Sequence, residues 1–148
     1  MKTLRLFAIV PIALGMSLML TQANLAQSPP NLQINRKSQS EPLVLNGTSG
    51  GSVQSNCGKI AATPNQTIQV TESLPYLRLT VETPGKPTLL IDGPGGRFCV
   101  LADSYSGGKA ELSGFWQVGK YSIYIGELSQ RQYNYTLSIS QQRNQTTR

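Results

Sequence analysis

Apolar positions along this chain fall in short runs, many of period two, separated by clusters of Gly, Pro, Asn and Ser. That pattern predicts strands of a half-buried sheet rather than helices. Tyr76–Val81 alternates most clearly: Leu77, Leu79 and Val81 share one face, and Tyr76, Arg78 and Thr80 share the other. Ile68 and Val70 share a face of Thr67–Val70. Tyr121, Ile123 and Ile125 do so in Gly119–Ile125, and Tyr133, Tyr135, Leu137 and Ile139 in Tyr133–Ile139. Thr88–Ile91 is nearly all apolar, as a central strand would be. The turn-forming run Asp92-Gly93-Pro94-Gly95-Gly96 joins it to Phe98–Leu101, which predicts a hairpin. Shorter runs at Leu43–Leu45, Lys59–Ala62 and Lys109–Leu112 bring the total to about eight or nine strands. The expected fold is all-β: a single antiparallel β-sandwich, jelly-roll-like.

The two ends break this pattern. Lys2 and Arg5 precede the apolar run Leu6–Leu20, and small and polar residues follow, the order of a secretory signal peptide. The run is shorter than the ~20 residues that a bilayer span needs, so no stable span is expected once the signal is removed. Cleavage after Ala26 or after Ala23 both suit the sequence. The expected organisation is a signal peptide over 1–26, a flexible linker over 27–42, a sandwich over 43–140 and a disordered tail over 141–148. The linker is polar and carries Pro29-Pro30, and the tail has no apolar residue.

Export changes how the charge and the cysteines are read. The formal charge of the whole chain is +6, but Lys2 and Arg5 leave with the signal. The remaining basic residues are scattered singly apart from Arg36-Lys37. A nucleic-acid site concentrates charge with interleaved aromatics, so no nucleic-acid partner is expected. Cys57 and Cys99 are the only two cysteines, and an even count in an oxidising compartment invites a disulfide. The alternative is two buried free thiols.

Candidate chemistry is sparse. With no His in the chain, Ser-His-Asp and Cys-His catalysis and His-based zinc sites are excluded. Asp92 and Asp103 flank the hairpin and could share a calcium ion with backbone carbonyls if they met at one end of the sandwich. Their competing role is to bond local turn N–H groups. A hydrolase could pair Asp92 or Asp103 with Glu111, although nothing in the spacing requires it. Trp116, Tyr121, Tyr133 and Tyr135 fall in phase with Ile and Leu and are expected in the core. Tyr76, Tyr105 and Tyr124 fall out of phase or in a turn and are the candidates for exposed ligand contact.

Several features occur in an order that resembles a known family. Gly50-Gly51-Ser52 is followed by Cys57-Gly58, Tyr76-Leu77-Arg78, Leu89-Leu90-Ile91 and Gly93-Pro94. Then come Cys99, Gly114-Phe115-Trp116, Gly119-Lys120-Tyr121, Tyr124-Ile125-Gly126 and Tyr133-Asn134-Tyr135-Thr136-Leu137. The order is similar to the bacterial pre-peptidase C-terminal domain family, in its small stand-alone secreted cyanobacterial version, over about Asn46–Ile139. The most telling element is Gly114, Trp116, Gly119 and Tyr121. The resemblance implies a jelly-roll sandwich that is not catalytic and assists targeting, secretion or substrate binding. Some members bind collagen or polysaccharide, and some bind calcium. Members often carry an acidic pair after the Cys strand, where this chain has Ala102-Asp103, which weakens the calcium expectation. Four Asn-x-Ser/Thr sequons start at Asn46, Asn65, Asn134 and Asn144, and a bacterial origin makes them incidental.

The sequence therefore leads to a secreted or periplasmic module with an accessory or binding role toward an extracellular protein or polysaccharide. No catalytic residue and no cofactor beyond calcium is expected. The alternative is a carbohydrate-active hydrolase or lectin-like module at the cell surface. The partner and the oligomeric state are not specified by the sequence.

Overall fold

The computed structural model describes residues 31–37 and 41–144. The expected signal peptide and both of its cleavage sites lie outside these residues. Eleven strands are described: β1 Asn31–Ile34, β2 Leu43–Thr48, β3 Val53–Ser55, β4 Gly58–Ile60, β5 Gln66–Val70 and β6 Leu74–Glu82. They continue with β7 Pro87–Gly93, β8 Gly96–Leu101, β9 Ala110–Trp116, β10 Gly119–Glu127 and β11 Asn134–Ser140. No helix is present among the described residues, and none there is long and apolar enough to cross a membrane.

The strands form two sheets. One has seven strands, in which β10 is flanked by β5 and β4 along one edge and by β7 along the other. β8 extends this sheet beyond β7, and β1 extends it beyond β5. The other sheet has four strands in the order β2-β11-β6-β9. Each alternation read from the sequence turns its apolar face inward. Ile68, Val70, Leu89, Ile91, Ile123 and Ile125 of the larger sheet meet Leu77, Leu79, Val81, Leu137 and Ile139 of the smaller one in a single core. All of these are at most 3% exposed. Burying one Leu or Ile side chain in this way contributes about 1.5–3 kcal/mol. Trp116 and Tyr121 close one end of the core, with ring centroids 4.5 Å apart.

β7 is buried on both faces. Leu89 and Ile91 enter the main core, while Leu90 points the other way into a small cluster with Cys57, Ile60 and Tyr124. The segment around β4 therefore laps over the outer face of the larger sheet. The Thr88 hydroxyl donates to the Cys57 carbonyl at 2.6 Å and fixes that overlap. Gly126 lies beneath it, and a Cβ there would meet the Thr88 side chain and the Cys57 carbonyl. A side chain at this position would push the two layers apart.

Three expectations need correction. The linker over 27–42 is not free chain throughout. β1 lies within it and pairs in parallel with β5, from Asn31 opposite Thr67 to Ile34 opposite Val70. Ile34 is buried in the core, so the sandwich begins before Leu43 and contains one parallel pair. The tail expected to be disordered from Gln141 is tied down at its start. The Gln141 backbone N–H donates to Glu41, and its side-chain amide donates to the Asn35 carbonyl at 2.8 Å. Residues 145–148 lie outside the described part. Lastly, Tyr133 is only half-buried, beside Gly85, while Trp116, Tyr121 and Tyr135 are buried as expected.

Asn65 shows how the layers are joined. The ladder of β10 runs along β5 as far as Ile123 opposite Gln66 and resumes on β4 at Glu127 opposite Lys59. In the gap, the Asn65 side-chain carbonyl accepts the Ile125 N–H at 2.9 Å. Its amide donates to the Thr48 carbonyl of β2 at 3.1 Å. One side chain thus substitutes for a missing strand backbone and links the two sheets, satisfying groups that would be costly to bury unpaired.

Candidate functional site

A covalent tie holds the site's outer wall. Cys57 and Cys99 form a disulfide with their Cα atoms 5.7 Å apart. The bond anchors β8 to the overlapping β4 segment. β8 is also held by its pairing with β7, by its contacts near β9 and by Val100, which packs on the core.

β8 and β9 are the edge strands of the two sheets on one flank of the sandwich. Pairing places Phe98 opposite Ile91, on the inward side of the larger sheet but at its rim. Phe98 is therefore left 49% exposed. Phe115 of β9 also lines the rim and is 67% exposed. Between them lies a hollow of roughly 360 Å³, floored by Ile91, Leu112, Trp116 and Tyr121. Its few polar groups come from Ser113 and Gln117 and from backbone near Gly95 and Gly114. The Tyr121 hydroxyl donates to the Gln117 carbonyl at 2.9 Å and holds the loop at one end. Burial raises the Tyr121 phenol above its ordinary pKa, and the bond to Gln117 lowers it in part. An open, mainly apolar hollow with flanking aromatic rings can take an apolar side chain or a flat ring.

The residues singled out in the sequence lie elsewhere. Asp92 sits near the hairpin turn, with Oδ2 4.0 Å from the Arg97 Nε across the hairpin. Both side chains are about half exposed, so this pair adds little stability. Asp103 lies past the far end of β8, where it accepts the Ser106 hydroxyl at 2.6 Å and the Ser106 N–H at 2.7 Å. The Ser106 hydroxyl first, and its N–H second, hold the Asp103 carboxyl below the usual range. At ~3.3 Å per residue, the length of β8 separates Asp92 from Asp103 by on the order of 15 Å. The two do not share one end of the sandwich, so the joint calcium site drawn from the sequence is not assembled. No group of three or more acidic or Cys side chains converges among the described residues. Glu111 faces outward on β9, and its Oε2 accepts the Thr80 hydroxyl at 2.9 Å.

The three candidate tyrosines share no surface. Tyr105 is fully exposed in the β8–β9 loop. Tyr124 packs on the Cys57 cluster. Tyr76 lies on the outer face of the smaller sheet, with the Arg143 guanidinium 4.6 Å from its ring centroid. The sequence reading passed over Phe98 and Phe115. Phe115 could have been noticed, because it is adjacent to the core residue Trp116 in a strand and so must face the opposite way. Phe98 could not, since its exposure comes from the edge position of β8.

No family model matches the chain. Among solved structures, the pre-peptidase C-terminal domain of a collagenase from Bacillus anthracis superposes with a TM-score of 0.50 and 14% identity, covering 77% of this chain and 98% of that one. A periplasmic lysozyme inhibitor from Salmonella Typhimurium aligns over 74% of this chain and 96% of its own, with 14% identity and a TM-score of 0.42, too low to bear on function. An uncharacterized protein of Synechococcus elongatus is 38% identical over 109 residues, which span 71% of this chain and 80% of that protein. The fold is that of a pre-peptidase C-terminal domain, and the chain belongs to the same family as the Synechococcus protein.

Proposed function

We propose that this protein is an exported, non-catalytic β-sandwich module that binds a protein partner through the cleft between β8 and β9. The observation that carries the reading is the apolar hollow between β8 and β9, floored by Ile91, Leu112, Trp116 and Tyr121 and rimmed by the exposed residues Phe98 and Phe115. Leaving such surface in water is unfavourable, and a contiguous apolar hollow of this kind marks an interaction site more often than a bare surface. The lining offers few hydrogen-bond groups, which suits an apolar side chain of a protein better than the hydroxyl-rich edge of a sugar. The disulfide agrees with an oxidising compartment outside the cytoplasm. The carboxylates Asp92, Asp103 and Glu111 are held by Arg97, Ser106 and Thr80 respectively, which supports a binding rather than a hydrolytic role.

The test compares the immobilised protein with its Phe98→Ala, Phe115→Ala double variant in an extract of the cell envelope. A protein retained by the wild type and at least tenfold depleted on the variant, at an unchanged melting temperature, supports the reading. Equal retention on both would remove the cleft as the binding site.

A further inference from the structure

A second site lies apart from the cleft, on the outer face of the smaller sheet. β6 and β11 place Arg78 opposite Ser140 and Thr80 opposite Ser138. Near the start of β6 a bulge sets Pro75 and Tyr76 against the single residue Phe115 of β9. The chain after β11 folds back over this face, so Arg143 rests on the Tyr76 ring. Tyr76, Arg78 and Arg143, with Ser138 and Ser140, line one broad, shallow hollow of roughly 950 Å³.

Among the described residues neither guanidinium pairs with a carboxylate. The chain has seven acidic side chains, and each is engaged by another group. Glu72 meets Arg36, Glu82 meets Lys109 and Asp92 meets Arg97. Asp103 is held by Ser106 and Glu111 by Thr80, while Glu127 accepts the Lys86 and Ser129 N–H groups. Glu41 is the one acid that lines the hollow, and it accepts the Ser140 hydroxyl and the Gln141 N–H. Arg78 adds a more specific sign: its Nη1 is buried and meets no hydrogen-bond acceptor among the described residues. A covered donor without a partner is costly, and for a charged group more so. Arg78 and the exposed Arg143 line the hollow, and an oxygen anion entering it would meet both, with the planar fork suited to a carboxylate.

We infer that this hollow binds an acidic polysaccharide, with a uronate carboxylate held by Arg78 and Arg143. Ser138, Gln142 and Asn144 also line the hollow, and their hydroxyl and amide groups match the hydroxyl groups of a sugar. The width of the hollow suits a polymer crossing the sheet better than a lone small anion.

Affinity electrophoresis of the purified protein through gels containing polygalacturonate tests this at physiological salt, with neutral dextran and polyglutamate as parallel matrices. The expected result is retardation by polygalacturonate alone. Arg78→Lys, which keeps the charge but loses the fork, and Arg143→Gln should each weaken the dissociation constant at least fivefold. Arg143 lies on an exposed segment, so its variant remains informative even if Arg78→Lys lowers the melting temperature. The Phe98→Ala variant should be retarded like the wild type, which separates this site from the cleft. Equal retardation by polyglutamate would reduce the effect to bulk charge and overturn the proposal. Wild-type binding by the folded Arg143→Gln variant, or no retardation by polygalacturonate, would also overturn it.

Discussion

β7 and β8 pair residue for residue in one hairpin, from Thr88 opposite Leu101 to Gly93 opposite Gly96, yet they occupy opposite environments. Leu89, Leu90 and Ile91 are at most 1% exposed, whereas Phe98 and Leu101 remain about half exposed. Composition does not separate them, since Leu-Leu-Ile faces Phe-Cys-Val. What differs is the number of neighbours. β7 has β10 along its second edge, the opposite sheet on one face and the Cys57 cluster on the other. Among the described residues β8 has no strand along its outer edge, and beyond the hairpin it is tied by one disulfide, by contacts near β9 and by Val100 on the core. An apolar run therefore makes a core strand only where other layers reach it, and at an edge the same kind of run becomes a surface for binding.

This contrast can be broken by mutation. The largest effect is expected in β7: Leu89→Ala or Ile91→Ala should destabilise by about 2–5 kcal/mol, read from the midpoint of urea unfolding. If these variants were no less stable than Ala variants in β8, the distinction between the strands would fail. The next effect concerns the tie. Reduction, or Cys99→Ser, should cost up to about 4 kcal/mol on the chain-entropy account of a loop of this length. Hydrogen exchange should then rise in β8 before it rises in β7, and simultaneous loss of protection would show that the hairpin opens as one unit. The smallest effect is expected at the rim. Phe98→Ala should change stability by no more than about 0.5 kcal/mol, as surface substitutions usually do. A loss as large as that of Leu89→Ala would place Phe98 in the core and undercut its assignment to a binding cleft.

The legible parts of the fold were those with a long repeat. Five alternations or apolar runs, around Ile68, Leu79, Leu90, Ile123 and Leu137, became β5, β6, β7, β10 and β11, with the expected residues buried except Tyr133, which precedes β11. β1 was missed because Leu32 and Ile34 make too brief a signal among polar neighbours. It becomes a strand only because β5 offers a free edge to pair with. Asn65 carried a sequon in the sequence, whereas in the fold it bridges Ile125 and Thr48. The candidate sites were less legible still. Asp92 and Asp103 flank one hairpin in sequence, and that hairpin is what holds them apart.

The sequence by itself determined the all-β class, the strands with clear periodicity, the hairpin turn and the lack of histidine chemistry, because each follows from residue type and local spacing. The tertiary structure alone decided which strands became edges, and so which aromatic rings stayed in water. It also decided that Arg78 and Arg143 line one hollow with no ion pair to a carboxylate among the described residues. Exposure and counter-ion pairing depend on what arrives from distant parts of the chain, and no local pattern records that.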